Sequence, residues 1–458
     1  MGDPLLYRIN RNIVRLGMRA YFKEIEVVGR SRAPDGGPVI FASNHPHSIT
    51  DSLVLGLAAG RMLHFVAHSG LFRNRFKAWF MRSSGVIPVY RPKDVEGSSD
   101  KNLTMFSACY EILDDGGAIG IFPEGTSAEE RRVQKLKTGT ARIALGAEES
   151  AGWNLGLTLV PVGLNFESCS RFRSRVLVKF GEPIVAGEWR AEFEADPTET
   201  VNRMTALLQE RLREQVVNVE QSEYETFVRD VENIFKDELL ARDDLNIPGN
   251  SPSQRSQAVT AEIARCLNYF HERSPDVIWR LARQMKGYNA KRHVLKLRDN
   301  LLREQEGPLV RSELWRLVIG GIAGLPWALF GLVGNWLPFR LTGWIGGRLA
   351  PDRTKIHQVQ FGVGAVLFLL WYAALLTFSF RVFGTAASIV AGVGLPLAGL
   401  FAREYFRYMK KRRRMLRFAG LEFKLGFRVQ ELRRERRQLV RNLDRAMQEY
   451  LRAIEEES

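Results

Sequence analysis

Val39-Ile40-Phe41-Ala42-Ser43-Asn44-His45-Pro46-His47-Ser48-Ile49-Thr50-Asp51-Ser52-Leu53-Val54-Leu55-Gly56-Leu57 is the stretch on which the reading of this chain turns. A short apolar run reads as a strand, a polar loop follows, and apolar residues resume at helical spacing. This pattern puts a histidine at a strand's end and a carboxylate at the start of the next helix. An imidazole acting as a base needs a partner that fixes its tautomer, and Asp51 is placed to serve His45 in that way. A lone pair of this kind has an equally simple reading, with Asp51 capping the helix and His45 a polar loop residue.

Working outward, two more strand ends carry chemistry-bearing residues. Ser84-Gly85-Val86-Ile87-Pro88-Val89-Tyr90-Arg91 reads as an apolar strand ending in a cation, and Ile119-Gly120-Ile121-Phe122-Pro123-Glu124-Gly125-Thr126-Ser127 as one ending in a glycine turn with a carboxylate. Arg131, Arg132, Lys135 and Lys137 line the loop that follows. Strand-end loops of an α/β sheet gather in one place, which brings a base, cations and turn amides around a phosphate-bearing substrate. His64 and His68 bracket a strand-like Phe65-Val66-Ala67, where four residues cover about 13 Å, too far to share one ion. Cys109, Cys169 and Cys266 follow no CxxC spacing, so neither a zinc site nor a disulfide framework is suggested. No metal is implied.

The sequence resembles the glycerophospholipid acyltransferase superfamily, whose four ordered blocks are a His-Asp block, a Gly-x-x-x-x-x-Arg block, a Phe-Pro-Glu-Gly block and a Val-Pro block. They stand here as Asn44-His45 with Asp51, Gly85 to Arg91, Phe122-Pro123-Glu124-Gly125, and Leu159-Val160-Pro161-Val162, and Phe180-Gly181-Glu182-Pro183-Ile184 looks like the family's closing strand. The resemblance covers about residues 30–187. It implies an α/β acyltransferase domain, a central mixed sheet flanked by helices. It further implies His45 as general base with Asp51 orienting it, and acceptor binding at Arg91, Glu124 and Gly125, with Gly85, Thr126 and Lys137 counted among the substrate-binding residues. Glu124 has a plainer alternative as a turn-stabilising acceptor. His45 is preferred to His47 because it follows Asn44 as in the family. Five residues separate His45 from Asp51 where the commonest form has four; this longer spacing resembles the glycerol-3-phosphate and dihydroxyacetone-phosphate acyltransferase branch. Ser127 stands where the family usually has Arg, leaving Arg131, Lys135 or Lys137 as substitutes. No cofactor is implied beyond acyl-CoA or acyl-carrier protein as donor. A direct transfer is expected, with Cys109 and Ser48 as the alternative nucleophiles.

The remainder of the chain is organised differently. With 458 residues it holds about three domains. Its 66 Lys and Arg exceed 51 Asp and Glu, a net +15, which points to a polyanionic partner. Residues 1–30 are expected to contain a basic amphipathic helix, with Arg8, Arg11, Arg15 and Arg19 among apolar residues, either lying on a membrane or packed on the domain. Residues 31–190 are the catalytic domain, 191–312 a charged helical appendage, 313–403 a membrane region and 404–458 a basic helix. Within the membrane region, residues 317–337 contain no charge, and 361–380 and 382–402 are separated only by Arg381. Each run has about 20 residues, enough to cross a bilayer core. Cations flank the first run on both sides (Arg311, Arg316; Arg340, Arg348, Arg353, Lys355) and follow the last (Arg403, Arg407 and residues 410–414). If all stay inside, the first run is a re-entrant hairpin broken by Pro326 and its glycines, residues 361–402 form a transmembrane hairpin turning at Arg381, and the soluble parts face the cytoplasm.

Near-heptad apolar residues from Leu425 to Ile454, with Arg436 intruding, suggest an interfacial or coiled-coil helix whose partner the sequence leaves open, another copy of the chain being one option. The basic cluster follows an apolar run, where lipid headgroups are the nearer phosphate source, so no nucleic-acid partner is expected. These readings lead to a multi-pass enzyme of the bacterial inner membrane or endoplasmic reticulum, acylating glycerol 3-phosphate or dihydroxyacetone phosphate. Lysophosphatidate is the alternative acceptor, and a non-catalytic membrane scaffold the alternative of a different class.

Overall fold

A computed structural model describes residues 5–72, 75–83, 85–89, 98–128, 130–167, 173–219, 222–242, 247–303, 310–349 and 356–457. Arg91, Arg353, Lys355 and Cys169 lie outside the described residues. The chain divides into two compact units, Met1–Ser274 and Pro275–Ser458.

The first unit is built on one mixed sheet. Its strands are β1 (Glu24–Val28), β2 (Val39–Ser43), β3 (His64–His68), β4 (Ile87–Val89), β5 (Ala118–Ile121), β6 (Thr158–Phe166), β7 (Arg175–Phe180) and β8 (Ile184–Val185). They are ordered β1-β7-β6-β2-β5-β3-β4, with β8 on β6. All pairs are parallel except β6 with β7 and with β8. The interleaved helices are α1 (Leu5–Tyr21), α2 (Ile49–Ala58), α3 (Arg75–Ser83), α4 (Ser98–Asp114) and α5 (Gly139–Ser150). α6 (Arg190–Ala195), α7 (Pro197–Gln215), α8 (Glu225–Leu240) and α9 (Pro252–Arg273) follow the sheet.

The central position of β2 follows from its composition. Val39 through Ser43 are all buried, as a strand covered on both faces requires. Ile40, Ile119 and Leu159 pack against Cys109 and Leu113 of α4, Ile143 of α5, and Met204, Leu208 and Leu212 of α7. Removing each such side chain from water stabilises the fold by about 1.5–3 kcal/mol. α7 starts where Asp196 accepts from the N–H groups of Thr198 and Glu199, with Pro197 in the first turn. Ser251 caps α9 in the same way, accepting from Gln254 N–H, and also donates to Glu26 of β1. Two expectations need correction here. Phe180 to Ile184 is not one closing strand but the corner between β7 and β8, both laid antiparallel on β6. The stretch 191–312 is not one appendage either: α6 to α9 belong to the first unit, and α10 (Pro275–Val294) to the second. The apolar face of α7 explains the first attachment, since it completes the core over the sheet.

In the second unit α11 (Val310–Leu349) and α12 (Ile356–Glu457) carry the apolar runs. α12 is interrupted at Gly384, with φ 81°, and at Leu425. Gly392 packs against Leu376, so the chain folds back at Gly384, three residues beyond the expected turn at Arg381. The glycines of α11 serve close packing: Gly320, Gly324, Gly331 and Gly334 meet Tyr408, Tyr405, Ala398 and Leu395 in antiparallel order. A methyl group at Gly331 would overlap the Ala398 carbonyl. Past Pro338, Thr342 and Gly346 meet Gly364 and Gln360, antiparallel to the other arm of α12. Since the two arms run in opposite directions, α11 changes course near Pro338, where Thr342 Oγ1 bonds back to the Pro338 carbonyl. The bend lies there rather than at Pro326.

The heptad stripe of α12 meets a partner within the chain. Val429, Leu432, Leu439, Leu443 and Met447 are buried, as are Ile278, Leu281 and Met285 of α10, the helix that α12 packs against. The seam left open for a second copy is therefore occupied intramolecularly. Arg436, the residue that interrupts it, reaches both carboxylate oxygens of buried Asp299 at 3.1–3.2 Å.

Candidate active site

The loop after β2 builds the site. Asn44 fixes its start: the side-chain amide donates to the Leu164 carbonyl at 3.1 Å and its oxygen accepts from Leu164 N–H at 2.7 Å, tying the loop to β6. Ser48, at φ 55°, turns the chain into α2 and sets Asp51 under the loop. His45 Nδ1 lies 2.9 Å from Asp51 Oδ2, and the same oxygen accepts from His47 N–H at 2.7 Å. Asp51 is completely buried, while the His45 side chain keeps 17% exposure. Burial pushes the Asp51 carboxyl above the ordinary carboxylate range, partly offset by the bonds from His45 and from the His47 and Ser48 N–H groups. With Nδ1 committed to the carboxylate, Nε2 is the nitrogen left for chemistry. The His45 ring stacks on Phe122 at 3.9 Å between centroids, and Phe122 in turn on Phe65. His47 turns away, its ring edge-on to Phe166. The structure thus brings the imidazole of His45, not that of His47, onto Asp51.

The loop after β5 lies beside it. Ala128 N–H donates to the His45 carbonyl, and Glu124 accepts from the N–H groups of His45 and Gln134. Glu124 is 5% exposed, and burial, then the nearby Asp51 charge, push its carboxyl up to about 8. It holds the two loops together, as a turn-stabilising acceptor does, and its Oε1 has no partner among the described residues. Gly125 turns at φ 68° with its N–H on the Phe122 carbonyl. The exposed Lys137 side chain lies against it: a Cβ built on Gly125 would sit 2.5 Å from Lys137 Nζ. Thr126 and Ser127 are exposed on the same turn.

Other candidates fall elsewhere. Gly85, at φ 75°, presses on the His64 ring and accepts from His64 Nδ1 at 3.1 Å, a packing contact at the entry to β4. Arg131 is committed to Glu232 of α8 at 2.6 Å, which removes it from the set of phosphate-binding substitutes. Cys109 is buried, and desolvation pushes its thiol up to about 12, unsuited to nucleophilic work at neutral pH. Among the described residues no group of three or more metal-ligating side chains occurs. Sequence reasoning missed the platform under His45; an aromatic at the end of β5, next to the Glu-Gly turn, was the available signal.

The Acyltransferase family model matches residues 24–165, from β1 to the end of β6. Residues 24–165 form an acyltransferase domain. The chain is similar to glycerol-3-phosphate O-acyltransferase 2 of Saccharomyces cerevisiae, 36% identical over 104 residues that cover 22% of this chain and 14% of that protein. It is also similar to the chloroplastic 1-acyl-sn-glycerol-3-phosphate acyltransferase LPAT1 of Arabidopsis thaliana, 28% identical over 166 residues, 35% of this chain and 42% of that one. A solved 1-acyl-sn-glycerophosphate acyltransferase from Thermotoga maritima aligns at TM-score 0.33 and 19% identity, over 44% of this chain and 78% of that chain. The chain thus spans less than half the length of these curated relatives.

Proposed function

We propose that the protein is a membrane-bound O-acyltransferase that moves a fatty acyl group from a thioester donor to the hydroxyl of a glycerol phosphate, glycerol 3-phosphate before lysophosphatidate. The observation that carries this reading is the His45–Asp51 pair at the end of the central strand, with the Gly125 turn and Lys137 beside it. The acceptor hydroxyl attacks the thioester carbonyl carbon as His45 Nε2 takes its proton. The tetrahedral intermediate collapses with cleavage of the C–S bond, and the departing sulfur takes that proton from His45. Asp51 holds the tautomer and steadies the imidazolium between the two transfers. The Gly125 turn with Lys137 receives the acceptor's phosphate, a role the family resemblance extends to Arg91.

Membrane attachment is assigned to the second unit. Two of its helices, residues 315–349 and 362–418, are long and apolar enough to cross a bilayer, and Ile322, Trp327, Val333, Leu369, Phe378 and Val390 are exposed on them. From the cationic clusters at their ends, read by the positive-inside rule, we infer that the catalytic unit faces the cytoplasm. The test is a panel of labelled glycerol 3-phosphate, dihydroxyacetone phosphate and 1-acylglycerol 3-phosphate, offered with acyl-CoA and with acyl-carrier protein to full-length protein in detergent or vesicles. Transfer is expected, greatest to glycerol 3-phosphate. Transfer to none of the three refutes the reading.

A further inference from the structure

A cavity of about 530 Å³ opens on the β6 side of the His45 loop, within the first unit. Asn44 and His47 line it on the loop side, and Lys236 of α8 with Ser253 and Gln257 of α9 line the opposite wall. No sequence motif marked this space, because its walls come from parts of the chain about two hundred residues apart.

We propose that this cavity holds the phosphopantetheine arm of the acyl thioester donor, the arm that acyl-CoA and acyl-carrier protein share. The assignment rests on the acyl-transfer reading above. Topology supplies the first argument. β2 lies between β5 and β6, and Asn44, Pro46 and His47, which flank His45, line this cavity together with residues 130–132 of the loop after β5, whereas the Gly125 turn itself does not line it. Two substrates must meet at one imidazole, and the cavity reaches the residues on either side of His45 in sequence without using the Gly125 turn. The glycine turn with Lys137 against it suits the acceptor's phosphate, while a space within the usual range of about 300–1,000 Å³ for small-molecule sites suits a longer chain.

The wall chemistry supplies the second argument. Its cations already face carboxylates: Arg131 and Lys236 both meet Glu232, and Arg229 meets Glu225. A small dianion would find little uncompensated charge there. An amide-bearing, mostly neutral arm instead needs scattered donors and acceptors, which Gln257 and Asn233 provide. Ser253 is buried, lines the cavity, and its Oγ has no hydrogen-bond partner among the described residues. A polar atom buried without a partner is costly unless a ligand satisfies it.

The test uses full-length protein carrying Ser253→Ala, Gln257→Leu or Ser256→Trp. The first two remove a polar group and the third fills the space; thermal unfolding confirms that each variant folds. KM for acyl-CoA and for acyl-carrier protein should each rise about tenfold in the first two, the loss of roughly one hydrogen bond to a buried group. The acceptor's KM should hold. A rise for acyl-CoA alone would place only the nucleotide end of coenzyme A here and overturn the shared-arm assignment. A rise in the acceptor's KM with both donors unchanged would assign the cavity to the acceptor and overturn it as well. Should the wild type transfer no acyl group, direct binding of 4′-phosphopantetheine still decides. Binding that Ser256→Trp abolishes supports the cavity assignment although the acyl-transfer reading has failed, whereas absent binding, or binding that survives in Ser256→Trp, refutes the assignment.

Discussion

Asp51 in the first unit and Asp299 in the second are both buried, and both meet a nitrogen-bearing side chain, yet only one is arranged for chemistry. Asp299 has its oxygens taken up by Arg436, at 3.1–3.2 Å, and by the Tyr288 hydroxyl at 2.6 Å. Arg436 is itself buried, and burial with the adjacent Asp299 charge raises the Tyr288 phenol well above its ordinary value. Every polar group there has a partner and none faces solvent. Asp51 spends Oδ2 on His45 and the His47 N–H, its Oδ1 has no partner among the described residues, and it supports a ring that stays accessible. Burial of an ion pair marks a clamp; burial behind an accessible, titratable ring marks a site.

The sharpest way to break this comparison is to remove the ring. His45→Ala should lower turnover by about 10²- to 10⁴-fold, the usual worth of a general base, and leave thermal unfolding within a degree or two of wild type. Steady-state rates with saturating substrates and a melting curve on the same preparation decide it. If His47→Ala lost the activity while His45→Ala kept it, the base would have to be reassigned.

The converse change belongs to the clamp. Arg436→Met leaves Asp299 buried without its cation and should destabilise the second unit by about 3–5 kcal/mol. Replacing both residues, Asp299→Leu with Arg436→Met, should restore most of that loss, because an apolar pair of similar volume leaves no charge unpaired. Melting of detergent-solubilised protein reads both variants. A single variant as stable as wild type would show that Arg436 is not the clamp that its position indicates.

Much of the arrangement around Asp51 was legible beforehand. The apolar run 39–43 is a buried strand, the histidine stands at its end, and the Phe-Pro-Glu-Gly turn lies beside it, since each depends on residues close together in sequence. What was not legible depends on distant partners. Arg131 looked free for a phosphate, but Glu232, 101 residues away, claims it. The heptad stripe of α12 gave no hint that α10 covers it, because a stripe records an apolar face and not the identity of its partner. Arg436 looked like a defect in that stripe until Asp299 appeared opposite. In α11 the proline chosen as the break was the wrong one of two, since a helix tolerates proline wherever neighbouring packing holds it.

Glu124 stands between the two aspartates in character, and pH separates it from both. Its folded carboxyl keeps a proton up to about pH 8, whereas an unfolded glutamate releases it near about 4.3. The folded state therefore binds more protons across that window, and its stability falls as pH rises from about 4.3 towards 8. Glu124→Gln has no proton to lose. Its stability relative to wild type should therefore improve by about 2–4 kcal/mol between pH 5 and pH 8, read from melting at both values. An offset independent of pH would show that the carboxyl ionises normally.

The smallest expected effects distinguish two glycines at strand ends. Gly125 and Gly85 both hold a positive φ, 68° and 75°, so alanine strains the backbone by about 1 kcal/mol at either position. What the new methyl meets differs. At Gly125 it meets the mobile end of Lys137, and at Gly85 the His64 ring, which is fixed by its bond to the Gly85 carbonyl. Gly125→Ala should therefore displace Lys137 and raise the acceptor's KM several-fold, with only a small loss of stability. Gly85→Ala should cost more stability, because a ring tied to the Gly85 carbonyl yields less readily than a lysine's end, and should leave the acceptor's KM unchanged. Measuring KM and melting temperature for both variants separates substrate contact from packing, and a raised acceptor KM in Gly85→Ala alone would move the phosphate away from the Gly125 turn, towards the Gly85 to Arg91 block of the sequence.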